Sequence, residues 1–298
     1  MKNILIPIDF SDCSLNAVKL AAEIAKLTDA TLNLAHINQT SLYNIGLSEI
    51  NIEQQEQQHY NEEMIKLMQM EFLKGINVLC SFDTVYLLAD VLVMNKYENI
   101  NLVIMGSHGV EGIKEFFIGT NTEKFVQLAD CPVIVIKNEV KLSSIKTILF
   151  ASDFKEEVIN KFNVFTKFCH LIGAKMKFVK IITPNDYIDE KKTTDEIGFF
   201  IQSTGIDGEK IKFYKAVTIE RGIIKYAEEI NADMIAVETH GNTGLSHLLN
   251  KNIAEGLTRH AAIPLLSVKM QNKTVNISQK IVDFIEEKNL LNKKMGYD

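Results

Sequence analysis

Asn101-Leu102-Val103-Ile104-Met105-Gly106-Ser107-His108-Gly109, followed after nine residues by Gly119-Thr120-Asn121-Thr122, is the stretch on which the reading of this 298-residue chain turns. A short continuous apolar run bounded by glycine reads as a strand buried on both faces. Gly106 and Gly109 allow the backbone to turn with positive φ and let a ligand approach it with no Cβ in the way; Gly119 does the same at a second place. Thr120, Asn121 and Thr122 can cap a helix starting near Glu123. The free N–H groups of such a helix start, together with the positive end of its dipole, suit a polyphosphate. Strand, glycine loop and helix start thus form a candidate phosphate cradle, although a G-x-x-G alone is usually a turn. It is not a Walker-type loop, because no Gly-Lys-[Ser/Thr] follows a glycine turn.

A second strand-like run, Asn3-Ile4-Leu5-Ile6-Pro7-Ile8, ends in Asp9. If it lies beside 101–105 in a parallel sheet, both carboxyl ends open into one crevice, where open α/β sheets bind ligands. Asp9 would then face a base or a ribose.

These residues resemble those of the universal stress proteins of the adenine-nucleotide-binding subgroup. The resemblance rests on Ile4-Leu5-Ile6-Pro7-Ile8-Asp9-Phe10-Ser11, Met105-Gly106-Ser107-His108-Gly109, Gly119-Thr120-Asn121-Thr122-Glu123-Lys124 and Cys131-Pro132-Val133-Ile134-Val135. It implies a five-stranded parallel α/β sheet related to the Rossmann fold, with ATP, or AMP or ADP, between the first and fourth strand ends, and Mg²⁺ as a candidate companion ion. It implies Asp9 as an adenine-side contact, Ile37 as a backbone partner of adenine, and Gly106, Gly109, Gly119 and Thr120 as the ribose and phosphate cradle. Asn121 joins through its N–H, and Pro7, Ile8, Met105, Ser107, His108 and Thr122 complete the motif lining. The family also implies pairing through the last strand of each unit.

Internal repetition gives the domain organisation. Ile4–Phe10 recurs as Ile148-Leu149-Phe150-Ala151-Ser152-Asp153-Phe154, an offset of 153 − 9 = 144. Ser107-His108-Gly109 recurs as Thr239-His240-Gly241, and Cys131-Pro132-Val133 as Ile263-Pro264-Leu265, both offset by 132, so the second copy is twelve residues shorter in its middle. The expected fold class is α/β, with two tandem Rossmann-like domains, each an open five-stranded parallel sheet with helices on both faces. Domains are expected at 1–138 (intact motif) and 145–270 (degenerate motif), with an appendix at 271–298 in which Ile277, Ile281, Phe284, Ile285 and Leu290 share one helical face.

Within the first unit, Leu15 to Ala25 recurs at helical spacing, 31–37 and 78–85 read as strands, 86–97 as a helix, 122–129 as a helix and 132–137 as the last strand. The polar segment 138–146 reads as a linker. The strands 132–137 and 264–269 are expected to pair within one chain as an intrachain pseudo-dimer, covering two edges; a homodimer through the remaining surface stays open.

The second half departs from the pattern at the cradle: Gly106 becomes Glu238, Gly109 stays Gly241, Gly119 becomes Lys251 and Thr120 becomes Asn252. A carboxylate where a triphosphate would lie repels it. Glu238 and Lys251 are expected to pair across the vacated groove, leaving Asp153 as a relic; the alternative is a Lys251 that serves a different anion.

Composition agrees. With 46% hydrophobic residues the chain can bury two cores, and 32 basic against 38 acidic side chains (net −6) argue against nucleic-acid or anionic-membrane binding. Cys13, Cys80, Cys131 and Cys169 lack a C-x-x-C pairing and no signal segment is recognisable, so a reducing cytoplasm is expected. His108 and His240 read as turn residues, Cys131 as packing, and Met64, Met68 and Met70 as core or partner-facing packing. The cradle offers neutral donors only, and Lys114 and Lys124 are expected to face solvent, so fast phosphoryl transfer is not expected. Rival readings are a slow ATPase or nucleotidyl-transfer enzyme and a nucleotide-free interaction scaffold.

Overall fold

The computed structural model describes residues 1–39, 47–85, 91, 94, 97, 99–107, 122, 125, 126, 128–184, 190–206, 211–240, 253, 254, 256–258 and 260–270. In the first half the strands are β1 (Asn3–Ile8), β2 (Thr31–Gln39), β3 (Val78–Val85), β4 (Leu102–Gly106) and β5 (Val133–Ile136), with helices α1 (Asp12–Thr28) and α2 (Leu47–Met68). The second half carries β6 (Thr147–Ala151), α3 (Glu156–Ile172), β7 (Lys175–Ile182), α4 (Glu190–Thr204), β8 (Ile211–Lys215), α5 (Ile219–Glu229), β9 (Met234–His240) and β10 (Leu265–Met270).

The ten strands form one sheet in the order β3-β2-β1-β4-β5-β10-β9-β6-β7-β8. All pairs within each half are parallel. The single antiparallel pair joins the halves, with Leu265 opposite Val135, Leu266 opposite Ile134 and Ser267 opposite Val133. The expected pairing of the two last strands is therefore present, and each five-stranded unit has one edge covered by the other. An ion pair between the buried Lys269 and the half-buried Asp130 sits at the same seam: Lys269 Nζ lies 2.8 Å from Asp130 Oδ1 and donates to the Leu128 carbonyl at 2.9 Å.

Period-2 alternation sends successive strand residues to opposite faces. On one face Ile4, Ile6, Ile8, Leu32, Leu34, Phe150 and Met234 pack with α1 to α4; on the other Leu5, Val103, Met105, Val135, Leu149 and Ile235 pack with α5 and residues 125–129 and 254–261. Helix α1 starts where Ser11 Oγ accepts from the Ser14 amide, and it buries a stripe of small residues, Ala17, Ala21, Ala22 and Ala25, beside Val18, Leu20 and Ile24. Small side chains let it lie close on the sheet.

One sequence expectation changes here. The segment 138–146 is a packed connection: Leu142 and Ile145 are buried, the Leu142 amide donates to Glu23 Oε2 at 2.8 Å, and Glu139 pairs with Lys19 at 2.8 Å. Its buried Leu142 and Ile145, spaced three apart, and the partly buried Val140 hold it against the core. Met64 is core, but Met68 and Met70 keep 43% and 46% of their surface exposed. The expected helix at 86–97 and the appendix at 271–298 lie outside the described residues, apart from buried Val91 and Tyr97 and half-buried Met94 in the former.

Candidate functional site

β1 lies between β2 and β4, so the chain leaves β1 toward one side of the sheet and leaves β4 toward the other. Their carboxyl ends, adjacent through the pairs Ile4 with Leu102 and Leu5 with Val103, flank the crevice that this reversal creates. Asp9 leaves β1 exposed, Gly106 closes β4, and Ser107 follows it. Thr122, buried and helical, belongs to the next helix. Of the expected site residues, Pro7, Ile8, Asp9, Ile37, Met105, Gly106, Ser107 and Thr122 are described; His108, Gly109, Gly119, Thr120 and Asn121 lie outside the described residues.

The Asp9 turn is tightly defined. Asp9 Oδ1 accepts from the Ser11 amide at 3.0 Å and from the Ser11 hydroxyl at 2.6 Å, while Ser11 caps α1. Between them Phe10 adopts φ 61°, the left-handed region that non-glycine residues rarely enter. Phe154 in the second half repeats it at φ 60°.

Gly106 corrects the sequence reading. It is the last residue of β4, not a positive-φ turn residue. A Cβ there would lie 2.4 Å from the Cys13 carbonyl carbon, 2.5 Å from its oxygen and 2.7 Å from the Ser14 nitrogen. Glycine is needed because the first turn of α1 rests on the strand backbone. Ser107 is also less available than expected, since its amide donates to the Ile136 carbonyl at 2.8 Å. Met105 and Ile8 point into the two cores, and Ile37 is half-buried against the same core as Met105. Cys13 beside the crevice is held as a thiol, its pKa raised by burial and by the nearby Asp9 and Asp12 carboxylates; Cys131 is likewise raised, to about 11, chiefly by burial.

The second half fills the equivalent space. Glu238 occupies the place of Gly106, and its Oε1 accepts from the Asp153 amide at 3.3 Å. Its Oε2 is buried and has no hydrogen-bond partner among the described residues. Burial first, and the Asp153 carboxylate second, push the Glu238 carboxyl up to about 8. Lys155 pairs with Asp153 Oδ2 at 2.8 Å, and Lys180 Nζ donates to the Asp153 carbonyl at 2.8 Å. The expected partner Lys251 lies outside the described residues, and Asp153 is engaged in this network. α1 runs close over β4, whereas α3 does not approach β9 to the same extent. Phe150, Phe154, Phe162, Phe165, Phe178 and Phe200 pack there with ring centroids between 4.7 and 6.5 Å apart.

The family model for the universal stress protein family matches residues 1–137 and 207–269, well over half of the chain. The chain belongs to the universal stress protein family. The universal stress protein YxiE of Bacillus subtilis is 26% identical over 143 residues, covering 45% of this chain and 97% of YxiE. The universal stress protein MJ0531 of Methanocaldococcus jannaschii is 27% identical over 144 residues, covering 47% of this chain and 84% of its own length. Among solved structures, a universal stress protein from Archaeoglobus fulgidus superposes with a TM-score of 0.67 at 18% identity, covering 90% of this chain and 98% of that one, a likeness of fold. The two matched segments of the universal stress protein model leave 138–206 between them, the stretch that carries β6, α3, β7 and α4 and all six residues of the phenylalanine cluster.

Proposed function

We propose that this universal stress protein binds ATP, or the related AMP or ADP, in its first half, at the carboxyl ends of β1 and β4, and acts in the cytoplasm in stress response or signalling. The units at 1–138 and 145–270 form an intrachain pseudo-dimer, the second a silent partner. The observation that carries the reading is the crevice at the β1/β4 switch point: Asp9 stands exposed on one side and the glycine pattern begins on the other. Asp9, Ile37, Gly109, Gly119, Thr120 and Asn121 would hold base, ribose and phosphates. The chain contributes binding and orientation: a carboxylate for a hydroxyl or amine, and neutral backbone and hydroxyl donors for the phosphates. Such donors bind a polyphosphate without neutralising the charge that phosphoryl transfer develops, so turnover is slow and the nucleotide acts as a signal or a conformational staple.

The test is thermal unfolding with ATP and Mg²⁺. At a hundredfold excess over the dissociation constant, ligation stabilises by about 2.7 kcal/mol. Asp9→Ala and Gly109→Val should remove that gain, and a midpoint indifferent to ATP would favour an interaction scaffold instead.

A further inference from the structure

We propose that His36 is a positioning residue for the first-half site: from the neighbouring strand it fixes the turn that carries Asp9, and so sets the affinity for an adenine nucleotide. The inference rests on the proposed nucleotide binding through Asp9.

Three features converge on the His36 ring. Its Nδ1 lies 2.8 Å from the Ile8 carbonyl oxygen. A carbonyl can only accept, so Nδ1 carries the proton and donates. The ring lies between Phe10 and Phe82, with centroids 5.4 Å away on each side and interplanar angles of 27° and 30°. Tyr60 packs against both His36 and Phe82, at 5.7 and 5.4 Å. A three-ring stack thus crosses the carboxyl ends of β1, β2 and β3.

Asp9 sits between the two points that His36 holds, the carbonyl before it and the ring after it. The left-handed Phe10 is a strained conformation that persists only when its surroundings over-determine it. Because the Asp9 carboxylate is bonded to Ser11, a shift at Ile8 or Phe10 moves the turn and carboxylate together. A site contact displaced by a fraction of an ångström loses much of its value.

The second half shows the same turn held differently. Phe154 has no exposed surface and packs edge-on against Phe150 and Phe200. Lys180, in the place of His36, donates to the carbonyl of Asp153 itself, one residue later. The left-handed turn is common to both halves. The histidine clamp belongs to the half with the glycine pattern.

The experiment is calorimetric titration of the full chain with ATP, alongside thermal midpoints without nucleotide, for wild type, His36→Phe and His36→Asn. Phenylalanine keeps a ring between Phe10 and Phe82 but has no donor. Asparagine places its amide nitrogen where Nδ1 stood and has no ring. His36→Phe should weaken ATP binding about tenfold while lowering the nucleotide-free midpoint by only a few degrees, the cost of one lost hydrogen bond. His36→Asn should recover binding to within about threefold of wild type. Wild-type affinity in His36→Phe overturns the inference, as does a loss in both variants that merely follows lost thermal stability. Failure of the wild type to bind ATP is a separate result and overturns the nucleotide reading itself, and the clamp's role with it.

Discussion

Replacing Glu238 by glutamine tests how the second half has closed its crevice. The Glu238 carboxyl is enclosed, Oε2 has no hydrogen-bond partner among the described residues, and its pKa is raised from 4.5 to about 8. A pKa raised on folding means that the native state keeps a proton which the unfolded chain releases. The associated stability is fully present below pH 4.5 and is lost as pH rises through about 8. At about 1.4 kcal/mol per pH unit, an upward shift of this kind is on the order of a few kcal/mol over that window. Glutamine has the shape of the protonated acid and cannot ionise. Glu238→Gln should therefore be close to wild type in stability at pH 5 and more stable by a few kcal/mol, on the order of the linkage figure, at pH 8. Urea unfolding of both proteins from pH 5 to 9 gives the difference directly, with other titrating groups cancelling. A difference that does not change with pH would refute the argument that Glu238 is buried as a neutral acid.

Gly106→Ala should cost about 1–3 kcal/mol in chemical unfolding, because the new methyl meets the backbone of Cys13 and Ser14, which cannot turn aside. Asp130→Asn should destabilise by about 1–3 kcal/mol, since it removes the charged partner of the buried Lys269 ammonium while leaving the Leu128 carbonyl, and adding Lys269→Met to it should restore much of the loss. Phe150→Ala should lower stability by about 3–5 kcal/mol through a cavity in the phenylalanine cluster, while leaving ATP affinity in titration calorimetry unchanged.

Much of the fold was legible because it depends on local pattern. The apolar runs at 4–8 and 102–105, the helical spacing from Leu15 to Ala25 and the repeat of Ile148–Phe154 gave the βα order and the two units. The pairing of the last strands came from the family resemblance; β5 is wholly apolar, but β10 carries Ser267 and Lys269 among its apolar residues, so composition alone does not announce it. What was not legible depends on contacts between distant residues. Gly106 looked like a turn glycine, but its partner is the Cys13 backbone, 93 positions away and invisible to any spacing rule (106 − 13). The linker looked solvated because Val140, Leu142 and Ile145 are scattered singly among charged and polar residues, yet the buried Leu142 and Ile145 decide where it lies. The exchange of Gly106 for Glu238 signalled a lost cradle, but not that the carboxyl would be enclosed beside Asp153. His36 read as one alternating residue of a strand, and only the meeting of β1, β2, β3 and α2 reveals the stack around it.

The central claim is one nucleotide site per chain, in the first half. Titration calorimetry of the full chain with ATP and Mg²⁺, checked by mass spectrometry of nucleotide released from the purified protein on heating, measures it most directly. The account predicts one adenine nucleotide per chain, abolished by Gly109→Val and untouched by changes at Gly241; none, or two, would contradict it.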